Sequence, residues 1–206
     1  VAASNITHRH LMLARSAPGP FDGPGWLYEL KYDGYRVLAL RRGTKTKLLS
    51  RRGDDLASRF PEIVAGLNKL PDIVLDGELV ILDRSGKPQL DRLRRRARLT
   101  NEISILNAAH WEPAAILVFD ILRLRGRDLR RLPLLKRREI ARTMLHRAMG
   151  SFKRIRLIQQ VGDTGSRLYE AAAALGLEGI VAKRADSPYR AGRSKDWIKI
   201  RTPRSG

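Results

Sequence analysis

The 206-residue chain contains no cysteine. Disulfides, thiolate metal centres and thiol nucleophiles are excluded by that absence. No apolar run is long enough to span a bilayer, and the first residues lack a secretory pattern, which fits a cytoplasmic chain. There is no G-x-x-x-x-G-K-[ST] and no G-x-G-x-x-G, so neither a P-loop nor a dinucleotide cradle is on offer for phosphate. No G-x-S-x-G elbow is present. The four histidines, His8, His10, His110 and His146, have no zinc-ligand spacing and are read as non-functional. Internal repeats and low-complexity linkers are also missing. The length and the 43% apolar content suit one domain with a real core, or two small ones.

Acid is scarce. The chain has 41 Lys+Arg against 21 Asp+Glu, a formal net charge of +20. Such an excess repels itself unless a polyanion shares the surface, and nucleic acid is the first candidate. An acidic membrane is the second, but no lipidation motif or basic amphipathic anchor supports it. A genome rich in G and C would inflate arginine without leaving the acids so few. The excess concentrates in "DRLRRRARL" (Asp91–Leu99) and "RLRGRDLRRLPLLKRR" (Arg123–Arg138). Both mix leucine and arginine at helical or turn spacing, which predicts leucines on a core and guanidiniums facing out to solvent or phosphates. Neither zinc-finger spacing nor a basic zipper points to base reading.

The first two dozen residues, through "SAPGPFDGPG" (Ser16–Gly25), are rich in Pro and Gly and are expected to be irregular. Strands are predicted at Leu27–Lys31, Tyr35–Arg41 and Lys45–Ser50, then a helix opening at Pro61. Asp72–Leu82 reads as a strand pair or one long bent strand, and Ala114–Leu122 as a buried strand by its continuous apolar run. Pro133–Met149 is a helix, Arg156–Val161 a strand, and Asp163–Gly176 a helix ended by its glycine. Glu178–Arg184 and Trp197–Arg201 close the chain as strands. Strands in neighbouring groups argue for α+β with antiparallel sheets.

The stretch "YELKYDGYR" (Tyr28–Arg36) puts Lys31 at the end of one β-prone run and just before another, with the turn dipeptide Asp33-Gly34 between them. Alone, this describes a solvated lysine on an exposed hairpin, with Arg36 able to pair with Asp33. Lys31, Glu78, Glu178, Lys183 and Lys199 each interrupt an apolar run, and a lone charge there normally faces solvent from a half-exposed sheet. Charges of both signs on several strands raise another possibility. Converging on one face, they would make a cleft with lysines for phosphates and carboxylates for a metal or a sugar hydroxyl.

These residues carry a family resemblance. "LKYDGYR" resembles the K-x-D-G-x-R motif of covalent nucleotidyltransferases: ATP-dependent DNA ligases, RNA ligases and mRNA capping enzymes. Further elements follow in family order: "SRRG" (Ser50–Gly53), "LDGEL" (Leu75–Leu79), "FDIL" (Phe119–Leu122), "EGIVAKR" and "WIKIR". The look is closest to the ligase domain of bacterial non-homologous end-joining ligases, over about Leu27 to Arg201.

The resemblance implies two antiparallel sheets flanked by helices around a nucleotide cleft, the ligase and capping-enzyme catalytic fold, which is ATP-grasp-like. It implies that Lys31 attacks the α-phosphate of ATP, forming lysyl-AMP, and that AMP then passes to a DNA 5′-phosphate before a 3′-hydroxyl displaces it. A free lysine has a pKa of about 10.4, so such an amine needs nearby cations to shed its proton. Lys183, Lys199 and a bound Mg²⁺ or Mn²⁺ are the candidates, and they would also neutralise phosphate charge in the transition state.

By the same resemblance Glu29 would contact the adenine amino group, with Leu30 beside it. Arg36 and Glu78 would hold the ribose hydroxyls, and Arg51 would lie near the ribose or the nick phosphate. Phe119 would stack on adenine, and Glu178, with Glu78, would bind the divalent ion. Lys183, Lys199 and Arg201 would bind the α-phosphate. Two positions depart from the family: Arg52 stands where Asn is frequent, and Arg201 where Lys is usual. A planar guanidinium does not replace a point charge atom for atom.

Residues 1–206 are expected to form a single adenylation domain without the OB-fold domain that completes family ligases, and hence to be impaired in the first step and in unaided nick sealing. DNA is the expected partner, with end-joining proteins or an OB-fold domain of a parent chain beside it, in the bacterial cytoplasm at the nucleoid. An RNA ligase, a capping-type enzyme and a catalytically silent DNA-binding module are the alternatives. A Schiff-base lysine enzyme would leave the phosphate-holding residues unexplained.

Overall fold

The computed structural model describes residues 6–149 and 154–203. The first of its two sheets runs, in spatial order, β1 (Met12–Ser16), β11 (Gly192–Arg201), β10 (Gly179–Arg184), β2 (Trp26–Lys31) and β9 (Val161–Gly162). The second runs β4 (Lys45–Ser50), β3 (Tyr35–Arg42), β5 (Ile73–Val80), β6 (Ala115–Leu124) and β7 (Arg127–Asp128), with β8 (Ile155–Leu157) also on β6. The helices are α1 (Pro61–Leu67), α2 (Leu90–Ala97), α3 (Glu102–Trp111), α4 (Leu134–Met149) and α5 (Gly165–Ala174). The α+β architecture implied by the motifs is present. Pairing is antiparallel except at two positions, β1 with β11 and β6 with β8.

Side-chain alternation along the strands builds three apolar layers. On β3, Val37 and Ala39 face the helices, joining Ile63 and Leu67 of α1, Leu93 of α2, and Ala141 and Leu145 of α4. Leu38 faces the other way, toward Met12, Val74, Phe119, Leu122, Tyr189 and Trp197 between the sheets. The far face of the first sheet, with Tyr28, Ile180, Ala182 and Ile200, is covered by α5 through Ala172. The layers are helix, sheet, sheet, helices, and the cleft opens between the sheets.

A bulge aims one site residue. Asp76 pairs with Asp120 and Gly77 with Val118, so Phe119 is the extra residue of β6. Extra residues of this kind kink a strand and redirect a side chain. Val118 packs against the helices, while Phe119 turns to the space between the sheets.

Several expectations need correction. The Pro/Gly-rich start is not all irregular: β1 lies within it, because its main chain pairs with β11 about 180 residues away. No local signal reports such a partner. "YELKYDGYR" is not a hairpin, because β2 pairs with β10 and β9 while β3 pairs with β4 and β5. Its turn carries the chain from one sheet to the other. Gly34 permits the crossing: a Cβ there would lie 2.3 Å from the Leu79 carbonyl oxygen. Arg156–Val161 is likewise not one strand but a second crossing, from β8 to β9. Asp72–Leu82 holds a single strand, β5 (Ile73–Val80), and α3 was not anticipated.

The arginine-rich stretches do not place all guanidiniums in solvent. Arg96, Arg137 and Arg138 are buried. Arg96 pairs with Glu62 (2.9 and 3.1 Å) and donates to three carbonyls, those of Arg59, Ala108 and Glu112. Arg137 makes a two-pronged pair with Asp120 (2.8 Å each) and donates to the Leu132 and Ser187 carbonyls. Composition counts charges but not partners, so it could not separate these three from exposed Arg92, Arg94 and Arg95.

Candidate active site

Strand register decides which side chains meet. Across β2, β10 and β11, one row holds Lys31, Gly179 and Arg201; the next holds Glu29, Val181 and Lys199; the third holds Leu27, Lys183 and Trp197. Opposed residues of an antiparallel ladder share a face. The second sheet contributes Arg36, Glu78 and Phe119, and the β4 turn adds Arg51 and Arg52. Together these line one cleft of about 1130 Å³. Every expected site residue except Glu178 lines it, Leu30 through its main chain, since its side chain packs toward α5; Glu178 lies against the lining residues Lys31 and Arg201.

At one end Lys31 Nζ contacts Glu178 Oε2, and Arg201 Nε reaches Glu178 Oε1 at 3.3 Å. Gly179 makes room for this row. Its φ is +139°, and a Cβ would lie 2.0 Å from the Ile200 carbonyl oxygen. Lys199 is pushed below the ordinary lysine range, first by burial and then by Arg201, Lys31, Arg193 and Arg51. A group destabilised by so many like charges marks a place prepared for anions.

In the middle, Arg36 makes a two-pronged pair with Asp76 (3.1 and 2.8 Å). Asp33 is not its partner. Tyr189 donates to the same carboxylate at 2.6 Å and accepts from the Met12 N–H at 3.0 Å, tying the two sheets together behind the cleft. Burial alone would pull the Arg36 guanidinium down; Asp76 more than reverses this and keeps it charged. Glu78 is pushed up to about 8 by burial, against the pull of Lys31 and Arg36 and with help from Asp76 and Glu178.

The Glu78 shift has a consequence for stability. A carboxyl raised to about 8 from 4.5 holds a proton in the folded chain that the unfolded chain has released, so stability falls as pH rises through that window. Glu78→Gln should flatten the loss. Between about pH 5 and pH 8.5, melting temperature should drop less in the variant than in the wild type; parallel curves would contradict this assignment.

At the far end Lys183 is wholly buried. Its ammonium stands 4.2 Å from the Phe119 ring centroid and 4.1 Å from that of Trp197, and it contacts Glu29 Oε1. Burial lowers its pKa and Glu29 opposes the shift. Four residues of strand, about 13 Å, separate it from Gly179, the register partner of Lys31, and its side chain turns to Glu29. Glu29 also accepts from Gln160 at 3.0 Å and lies 3.6 Å from Arg138.

Asp76, Tyr189, Arg138 and Gln160 were not anticipated as site residues. Asp76 lay within the quoted "LDGEL", and Trp197 within "WIKIR". Gln160 gave no signal, because its role depends on neighbours brought by the fold. No cluster of three or more His, Cys, Asp or Glu able to hold a metal occurs among the described residues. Glu78 lines the cleft, and Glu178 stands beside it against Lys31 and Arg201. Mg²⁺ typically takes one or two carboxylates and completes its shell with substrate phosphates and water, so these two side chains would suit such an ion.

Two sheets enclosing a cleft with Lys31 at one end and Glu29 at the other have the fold of covalent nucleotidyltransferase catalytic domains. Within that class the chain belongs to the ATP-dependent DNA ligase domain family, whose model matches residues 11–201. It is 34% identical over 179 residues to the multifunctional non-homologous end joining protein LigD of Pseudomonas aeruginosa, covering 85% of this chain and 20% of that protein. A DNA ligase of Thermococcus fumicolans is 32% identical over 208 residues, covering 92% of this chain and 35% of that one. The chain thus spans about a fifth to a third of these relatives. Among solved structures, the ligase domain of Mycobacterium tuberculosis LigD superposes with a TM-score of 0.76 at 28% identity, covering 93% of this chain and 60% of that one. A mycobacterial DNA ligase D complexed with ATP and MES gives 0.75, also at 28% identity and with the same coverage. No helix among the described residues is long and apolar enough to cross a membrane.

Proposed function

We propose that this chain is the adenylate-transferring domain of an ATP-dependent DNA ligase, with Lys31 as its nucleophile. The observation that carries the reading is the row of Lys31, Gly179 and Arg201 beside Lys199, with Glu178 bridging the first and last. An α-phosphate seated over Gly179 would meet one amine at bonding distance and two further cations at its oxygens.

Glu29 accepts from the adenine amino group, Leu30 lines the base slot with its main chain, and Phe119 packs on the ring. Arg36, held by Asp76 and Tyr189, directs its remaining N–H groups to the ribose, where Glu78 is the second partner. Lys199 and Arg201 neutralise phosphate charge as it develops, which is the larger part of catalysis in phosphoryl and nucleotidyl transfer. As the Lys31 nitrogen bonds to the α-phosphorus, the bond to pyrophosphate breaks. Glu178 and Glu78 would hold a divalent ion. Such an ion, when bound, supplies further charge neutralisation on the phosphates.

Arg15, Arg51, Arg52 and Arg193 rim the same cleft. They form the surface for the DNA phosphates, a binding mode that weakens steeply with salt. We place the reaction in end joining, as the names of the LigD relatives suggest, and locate it in the bacterial cytoplasm at the nucleoid. Residues 1–206 act in it as one adenylation domain, working with an OB-fold domain or end-joining proteins.

Incubation with ATP or GTP labelled at the α-phosphate tests the reading. Label on the chain from ATP supports it. Label from GTP would indicate a capping-type enzyme, and label from neither a silent DNA-binding module.

A further inference from the structure

We propose that Gln160 is a positioning residue that sets nucleobase choice, by fixing the Glu29 carboxylate from behind the cleft. The inference rests on the adenylation reading and concerns a residue outside the lining of the cleft.

Backbone register puts it there. Leu27 pairs with Gly162 and Tyr28 with Val161, so continuing the ladder by one residue brings Gln160 opposite Glu29. The Gln160 Nε2 donates to Glu29 Oε2 at 3.0 Å. A carboxylate offers only acceptors, so the amide must present its NH₂ end to it. Gln160 lies on the crossing between β8 and β9, and its hydrogen bond also links that crossing to β2.

Glu29 is 2% exposed and has two cations beside it: Lys183 on Oε1, and Arg138 at 3.6 Å from Oε2. Charge attraction is weakly directional and leaves the plane of the carboxylate loosely defined. The amide bond is directional and aligns Oε2 away from the cleft. That leaves a lone pair of Oε1 for an exocyclic amino group. Adenine carries a donor at this position and guanine an acceptor, which the fixed carboxylate repels. Arg138 braces the same wall by donating to the Phe119 carbonyl at 2.9 Å and the Ile158 carbonyl at 2.5 Å. With the wall held, only the orientation of Glu29 depends on Gln160.

The test compares single-turnover adduct formation on the 206-residue chain from ATP and from purine riboside 5′-triphosphate, which lacks the amino group. A hydrogen bond to a charged acceptor predicts a wild-type preference of about 10- to 100-fold for ATP. Gln160→Met keeps the length without the donor and should cut that preference to a few-fold, through a slower ATP reaction at an unchanged purine riboside rate. Gln160→Glu, with like charges opposed, should cut it further. A merely structural role would slow both triphosphates equally and leave the ratio intact. An ATP-selective wild type with the same ratio in Gln160→Met overturns the inference and leaves the adenylation reading standing. No adduct on the wild type from either triphosphate overturns both.

Discussion

Asp120→Ala should destabilise the chain by about 3–5 kcal/mol, the usual cost of stranding one charge of a buried pair. Asp120 and Arg137 are both fully buried. Their two hydrogen bonds of 2.8 Å fasten α4 to β6 beside Phe119, and Arg137 extends the tie to Ser187 in the loop that carries Tyr189. Loss of the carboxylate leaves a guanidinium facing two carbonyls in a medium that cannot solvate it. A domain with roughly 5–15 kcal/mol in total would lose a large part of its reserve. Removing both charges should cost less than the single change. Asp120→Ala/Arg137→Met would therefore be more stable than Asp120→Ala alone. Urea unfolding at neutral pH checks this. A midpoint for Asp120→Ala close to wild type would mean that the pair contributes nothing measurable.

The second large effect concerns chemistry. Glu178→Gln keeps the shape of the side chain but removes the charge that bridges Lys31 and Arg201. Adenylate transfer should fall by about 10²–10³-fold, the scale set by removing one pre-positioned electrostatic partner from an active site. Glu178 lies at the cleft mouth about one-fifth exposed, so melting temperature should hardly change. The rate should be followed over a Mg²⁺ series. The variant is expected to need more of the ion than the wild type; wild-type rates at every Mg²⁺ concentration would remove Glu178 from the proposed machinery.

Much of the fold was readable where one period governs a long run. β6 follows the continuous apolar run that marked Ala114–Leu122, and β3 and α4 lie where a strand and a helix were predicted. What failed were features that depend on a distant partner. β1 exists because of β11, and the chain crosses between sheets at Asp33-Gly34 and again after Leu157. A turn signal reports that the chain bends but not which strand lies beyond.

The site shows the same division. The motifs brought Lys31, Glu29, Arg36, Glu78 and Lys199 to one cleft, because alternate residues of adjoining strands share a face. They did not show that Arg36 is committed to Asp76, that Lys183 turns to Glu29, or that Gln160 stands behind it. Nor could a count of arginines reveal that Arg96, Arg137 and Arg138 hold the interior together. Their partners, Glu62, Asp120, Glu29 and several carbonyls, come from remote parts of the chain.

The central claim is that the Lys31 amine takes AMP from ATP, and peptide mapping by mass spectrometry tests it most directly. After incubation with ATP and Mg²⁺, the wild-type chain should gain the mass of one AMP less water on the peptide containing Lys31, and Lys31→Ala should gain none. An unmodified wild type, an adduct mapped to another residue, or the same adduct on Lys31→Ala would contradict the account.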